Sequence, residues 1–211
     1  DYEEIVLKCG PGPTIRWINE VFVRLDKTLA QARGMTKVET FNNFVLVYTS
    51  RQQHAETCVA CALSVLDSTQ HVQRPDGQQT TLKLGMSSGE VTAGVIGSRS
   101  PRYSIFGDTV NTASRMASST TPSTCATPFI HFTLATRKLV GRQLEEKLRK
   151  DYGLRIAQSQ GRNVKGKGWM ETYLLHAQDV AGGHCEGAPT SVVDDGLGSY
   201  AMPDQLGSSH N

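Results

Sequence analysis

No run of apolar residues in this chain is long enough to span a bilayer, and the opening DYEEIVLKCG lacks the basic and apolar regions of a secretory signal. Direct membrane contact is therefore not expected of this segment. The expected setting is cytoplasmic, with room for the segment to be the intracellular part of a larger or membrane-anchored protein. Charge of one sign is also scarce: the formal net charge is +2, and the Lys and Arg residues are scattered rather than massed. That balance excludes a nucleic-acid footprint, and no strand interleaves basic and aromatic residues as an RNA-binding sheet would. The five cysteines are odd in number and irregular in spacing, which argues against a disulfide framework. Cys58 and Cys61 form the one C-x-x-C worth weighing, but no second pair completes a zinc site, and both sit within a helical core pattern. Residues 89–97, GEVTAGVIG, are glycine-punctuated without a following Gly-Lys-Ser/Thr, so a Walker-type phosphate loop is excluded.

The 211 residues suffice for one globular domain and a tail. Residues 1–12 read as the remnant of a first strand or a linker, with Ile5, Val6 and Leu7 the strand candidate. Residues 13–176 carry the domain. Residues 177–211, rich in Gly, Ser, Asp and Pro, read as a disordered tail or linker. Within the domain, Ile15, Ile18, Phe22, Leu25 and Leu29 recur at helical spacing over residues 14–33, with Thr14 as cap and Gly34 as stop. Residues 36–40 and 44–48 read as a hairpin, and residues 52–72 as a helix with Ala55, Val59, Ala62, Leu63 and Leu66 facing a core. Leu82, Leu84 and Met86 alternate with Thr81, Lys83 and Gly85 in a strand whose other face holds Lys83. A charged helix around residues 145–150 precedes two closing strands, 155–160 and 172–176. His131 has no partner at ligand spacing and reads as a surface or packing histidine.

Residues 101–116, PRYSIFGDTVNTASRM, organise the rest: a short strand, a Gly-Asp turn and a helix. At about 100° per residue, Val110, Ala113 and Ala117 form an apolar stripe while Asn111 and Arg115 stack on roughly the opposite side. Asp108 is placed to cap the first turn, so an amide and a guanidinium are carried together on a fixed element.

The words KVET at 37–40, AGVIG, PRY, GDTVNTASRM and VKGKGWMETYLL occur in an order that resembles the catalytic domain of class III nucleotide cyclases, more narrowly guanylyl cyclases. The resemblance implies an α+β ferredoxin-like cyclase fold, a βαββαβ core sheet with helices on one face, and a dimer whose active site is built from both domains. It also implies conversion of GTP to cyclic GMP and pyrophosphate. Asn111 matches the residue that positions the ribose, and Arg115 the one that stabilises the pentacoordinate phosphate. Glu39 matches the carboxylate that reads the donor edge of guanine, where adenylyl cyclases carry Lys, and Ser104 stands where a second base contact is made. Lys165 matches the triphosphate-binding lysine, with Lys167 secondary and Lys83 at a position where the family has a basic residue.

The metal half departs from that pattern. The family binds two Mg²⁺ or Mn²⁺ ions through an Asp ending the first strand and an Asp in a Gly-Asp hairpin turn. Asp1 stands at about the right distance for the first, although Tyr2, Glu3 and Glu4 do not reproduce the turn that follows it. The second is replaced: the turn reads Asn42-Asn43, and the amide of Asn43 brings no charge to offset dications facing a triphosphate. The expectation is a homo- or heterodimer with another cyclase domain, the heterodimer favoured, in which the partner supplies the carboxylates. The rival reading is a catalytically inactive pseudo-cyclase that dimerises or binds nucleotide.

Overall fold

The described residues begin in a helix where the remnant of a strand or a linker was expected. In the computed structural model, which describes residues 2–41, 43–120, 129–159, 161–164 and 167–177, Tyr2–Cys9 forms α1. Its acidic first turn, Glu3 and Glu4, and its basic last turn, Lys8, complement the helix dipole, and Ile5 is the buried residue. That pattern overrides the strand preference of Ile5, Val6 and Leu7, and Leu7 is left outside. Gly10, with φ at +81°, breaks the helix, and α2, Pro11–Gln31, begins with proline in its first turn. Thr14 is not the cap: its hydroxyl donates to the Gly10 carbonyl at 2.8 Å, one turn back and fully buried. The buried face of α2 is Thr14, Val21, Leu25 and Leu29, so Ile15 faces outward and the stripe read from sequence is out of phase over the first turns. Trp17 goes with that phase, its indole N–H donating to Thr80 Oγ1 at 2.8 Å.

Next come β1 (Thr36–Phe41) and β2 (Phe44–Tyr48), an antiparallel hairpin, and α3 (His54–Thr69). Helix α3 is buried on two sides. Val59 and Ala62 join one core with Ile130, Phe132, Leu148, Leu154 and Leu175, while Cys61 and Val65 join another with Leu25 and Leu29, against which Val45 and Val47 pack. Strand β3 (Leu84–Met86) is followed by the hairpin β4 (Thr92–Ile96) and β5 (Arg102–Phe106), then α4 (Asp108–Ser118). The remainder is β6 (Ile130–Thr133), α5 (Leu134–Leu139), α6 (Arg142–Tyr152), β7 (Leu154–Gln158), the small hairpin β8 (Arg162–Val164) and β9 (Gly168–Met170), and β10 (Thr172–Ala177). Gly153, in the left-handed region at φ +62°, stops α6 and lets β7 start at once.

The central sheet has the order β3-β6-β10-β7, with β3 parallel to β6 and β10 antiparallel to both its neighbours. The α+β class is as the sequence implies, while helices lie on both faces of this sheet rather than on one. Leu84, Met86, Ile130, Phe132 and Leu175 face α3 and α6, and the alternate residues, Gly85 and His131, face α4. His131 is a packing histidine, buried, with Nδ1 3.0 Å from Ser119 Oγ at the end of α4. The reason α4 can lie so close is Gly85. A β-carbon there would stand 2.1 Å from the Ala117 amide nitrogen and 2.5 Å from the Ala113 carbonyl oxygen, both backbone atoms that cannot turn aside.

The chain divides into Asp1–Gln178 and Asp179–Asn211, and every described residue belongs to the first unit. The tail expected over 177–211 lies, apart from Ala177, outside the described residues. Because α4 rests on the backbone of β3, replacing Gly85 by Ala should force the helix off the sheet. We expect overpacking of about 1–3 kcal/mol, read in a thermal melt as a fall of about 2–4 °C for each kcal/mol.

Candidate functional site

Asn111 and Arg115 are presented as the periodicity predicts. Thr112 and Met116 are buried beneath α4, Ala113 and Ala117 meet β3, and Asn111 is exposed with Arg115 half-buried one turn on. Asp108 does not cap this helix. Gly107 occupies the N-cap position with φ +140°, and Asp108 is the first helical residue. Its carboxylate instead accepts from Lys167 Nζ, across 59 positions of sequence. This pair ties the β8–β9 hairpin to the start of α4. No local sequence signal announces it.

Strand β5 leads through Gly107 into α4, so Ser104 is rigidly upstream of Asn111 and Arg115. Ser104 is half-buried opposite Gly94, with Ile105 turned into the interior. Glu39 is on β1, which lies against β5. Its orientation depends on an irregularity: Lys37 pairs with Val47 but Glu39 pairs with Leu46, leaving Val38 as an extra residue. Val47 and Val45, the partners of Lys37 and Thr40, pack toward α2 and α3, whereas Glu39, paired with Leu46, is exposed on the opposite face.

The basic candidates separate. Lys167 stands at the N-terminal end of α4. Lys83 is exposed at the other end, because β3 runs antiparallel to α4, from Gly85 beside Ala113 and Ala117 to Gly89 beside Thr109. Lys165 lies outside the described residues, as does Asp1. A cavity of about 490 Å³ opens at the start of α4, with Ser87, Ser88, Thr109, Thr112, Asp108 and Lys167 in its wall. Its hydroxyl-rich lining was missed from sequence, where the Ser-Ser-Gly after β3 is the one available signal. The carboxylates of Asp108 and Glu171 share that wall, Asp108 already holds the Lys167 ammonium, and the Thr109 and Thr112 hydroxyls donate to the carbonyls of Glu90 and Asp108, so the lining offers no uncompensated positive charge.

Asn43 is exposed in the turn between β1 and β2. Among the described residues no group of three or more His, Cys, Asp or Glu side chains could hold a metal ion. Asn43 offers a metal an amide oxygen and no charge, and no helix among the described residues is long and apolar enough to cross a membrane. Cys58 and Cys61 are free, and burial, with Cys61 beside it, pushes the Cys58 thiol up to about 11. Burial raises Cys61 as well. Neither is poised as a thiolate.

Residues 1–177 match the family model described as the adenylate and guanylate cyclase catalytic domain. The chain is 31% identical over 179 residues to the guanylate cyclase soluble subunit beta-2 of Rattus norvegicus, covering 82% of this chain and 24% of that protein. It is 30% identical over 181 residues to the receptor-type guanylate cyclase gcy-4 of Caenorhabditis elegans, covering 82% of this chain and 15% of that one. The chain thus spans about a quarter or less of the length of these relatives. Among solved structures, the guanylate cyclase domain of RhGC from Catenaria anguillulae in complex with GTP superposes with a TM-score of 0.67 at 28% identity, covering 84% of this chain and 91% of that one. The adenylyl cyclase CyaB from P. aeruginosa, at 19% identity and a TM-score of 0.62 over 86% of this chain and 91% of that one, shares the fold.

Two outcomes follow from the geometry. Lys167→Ala should cost under about 1 kcal/mol of global stability, since Asp108 is largely exposed, yet speed amide exchange in Arg162–Val164 and Gly168–Met170. Unchanged exchange there would show that the hairpin is held by other contacts. For Cys58 the folded value lies above the unfolded one, so its contribution to stability is complete below the ordinary thiol range and is lost as pH rises through about 11. Urea melts of the wild type and Cys58→Ala should accordingly differ less at high pH than at pH 7.

Proposed function

Because the chain belongs to the adenylate and guanylate cyclase catalytic domain family, we propose that it is one half of a shared guanylyl cyclase site, converting GTP to cyclic GMP and pyrophosphate with a second cyclase domain. The observation that carries this reading is the alignment of Glu39 on β1, against the strand that holds Ser104 and runs into the helix of Asn111 and Arg115. In this reading Glu39 accepts from the N1 and N2 hydrogens of guanine and Ser104 donates to O6, a pattern adenine cannot satisfy. Asn111 orients the ribose so that its 3′ oxygen faces the α-phosphorus. A bond forms between that oxygen and phosphorus, the bond from phosphorus to the bridging oxygen of pyrophosphate breaks, and the hydroxyl proton is released. Arg115 stabilises the negative charge that gathers on the α-phosphate oxygens in between. Lys165 and, from the far end of α4, Lys83 serve the triphosphate. Lys167 acts chiefly by holding its hairpin to Asp108.

Class III cyclases generally use divalent metal ions, and Mg²⁺ or Mn²⁺ carboxylates would here come from the partner, since Asn43 is neutral. A partner surface is available: Val95, Ile96 and Tyr103 on the β4–β5 hairpin are exposed apolar side chains, as is Trp169, which is 71% exposed. A heterodimer with a metal-complete cyclase domain, located in the cytoplasm, is the arrangement we favour. Asn43 also supports a second reading, a pseudo-cyclase that binds nucleotide or dimerises without turnover.

The full chain should make little cyclic GMP alone, but should produce it when mixed with a metal-complete guanylyl cyclase domain that is itself disabled at its Asn and Arg positions. Arg115→Ala should then lower kcat by about 10²–10³. Turnover by the chain alone at rates matching the mixture would overturn the partner requirement. Silence of the mixture, with GTP and Mn²⁺ binding seen by calorimetry, would leave the nucleotide-binding module; silence without binding would leave dimerisation alone.

A further inference from the structure

We propose that Lys37 and Asp26, neither of which touches nucleotide, form a pin that fixes the choice of base by holding the Val38 bulge in register. The inference rests on the guanylyl reading of Glu39. Residues two apart on a regular strand share a face, so Lys37 and Glu39 would point the same way. They do not, because Val38 is inserted between them: Lys37 is opposite Val47 and Glu39 opposite Leu46. Lys37 is on the side of α2, where its Nζ is 2.7 Å from Asp26 Oδ1 and 6.0 Å from the centre of the Phe22 ring. Glu39 is on the other face.

The pin gives the bulge its direction. If the strand slipped to regular pairing while Lys37 kept its place, Glu39 would turn to the α2 face, toward the carboxylate of Asp26, and leave the side it shares with exposed residues. If Glu39 kept its place instead, Lys37 would swing away from both Asp26 and Phe22. The observed register is the one that satisfies both ends of the tetrapeptide. A half-exposed ion pair adds little to global stability, so its effect falls on where Glu39 points rather than on whether the domain folds.

The test uses the full chain mixed with the metal-complete cyclase domain, and the probes are GTP and ATP with Mn²⁺. Affinity for each is measured by calorimetry for wild type, Lys37→Ala, Asp26→Asn, the charge-swapped double variant Asp26→Lys with Lys37→Asp, and Glu39→Lys. Lys37→Ala and Asp26→Asn should each lower the preference for GTP over ATP about five- to tenfold, the scale of one misaligned hydrogen-bonding group, with the melting temperature little changed. The charge swap should restore much of the preference. Amide exchange at Val38 and Leu46 in the full chain should rise in both single variants and fall back in the double. If Glu39→Lys alters the preference but the pin variants do not, the pin is overturned and the reading of Glu39 stands. If Glu39→Lys leaves the preference unchanged, or neither nucleotide binds, the guanylyl reading is overturned and the proposal with it.

Discussion

Contact between two backbones, that of β3 at Gly85 and that of α4 at Ala113 and Ala117, is the constraint on which the rest of the domain depends. It sets the height of α4 above the sheet to within the size of a methyl group. Every group carried by α4 inherits that height: Asn111 and Arg115 on the open side, Asp108 at the start where it holds Lys167, and Ser119 at the end where it meets His131. Glycine is required in the strand because backbone atoms cannot yield as a side chain could. The helix meets the requirement with alanines, which bring a helix-favouring surface without bulk.

The second organising element is α3, buried on both sides. Val59 and Ala62 face the sheet core, Cys61 and Val65 face α2 and the β1–β2 hairpin. A shift of α3 would therefore be felt by Glu39 through Val45 and Val47, and by the sheet beneath α4 at the same time. The cysteines in this helix are explained by that position: they are small apolar residues in a crowded seam, with thiols held neutral by burial.

What could be read directly from the chain was local. The hairpin β1–β2, helix α3 and the strand-turn-helix around Gly107 follow from spacing within a dozen residues, and the candidate pair Asn111 and Arg115 follows from helical geometry alone. Strand identity at Ile5, Val6 and Leu7 was misread because three apolar neighbours suit a strand and a helix equally, and flanking charges decided the matter. The face of α2 was misphased because its partner, the loop that brings Thr80 to Trp17, is remote in sequence. For the same reason the union of Asp108 with Lys167 had no signature. The place of Asn43 in the turn between two strands was legible from the flanking strand patterns, and the structure adds that it sits exposed there.

The extra residue at Val38 has a consequence for how this strand tolerates change. Because side chains alternate with a period of two, a substitution at any one position of β1 alters one group, whereas gain or loss of a single residue exchanges the two faces for everything on one side of it. The length of the segment between Lys37 and Glu39 is thus a stricter inheritance than the identity of the residue that fills it. A lineage could exchange Val38 freely for another β-former, yet it could not shorten the strand by one without turning Glu39 toward the helix.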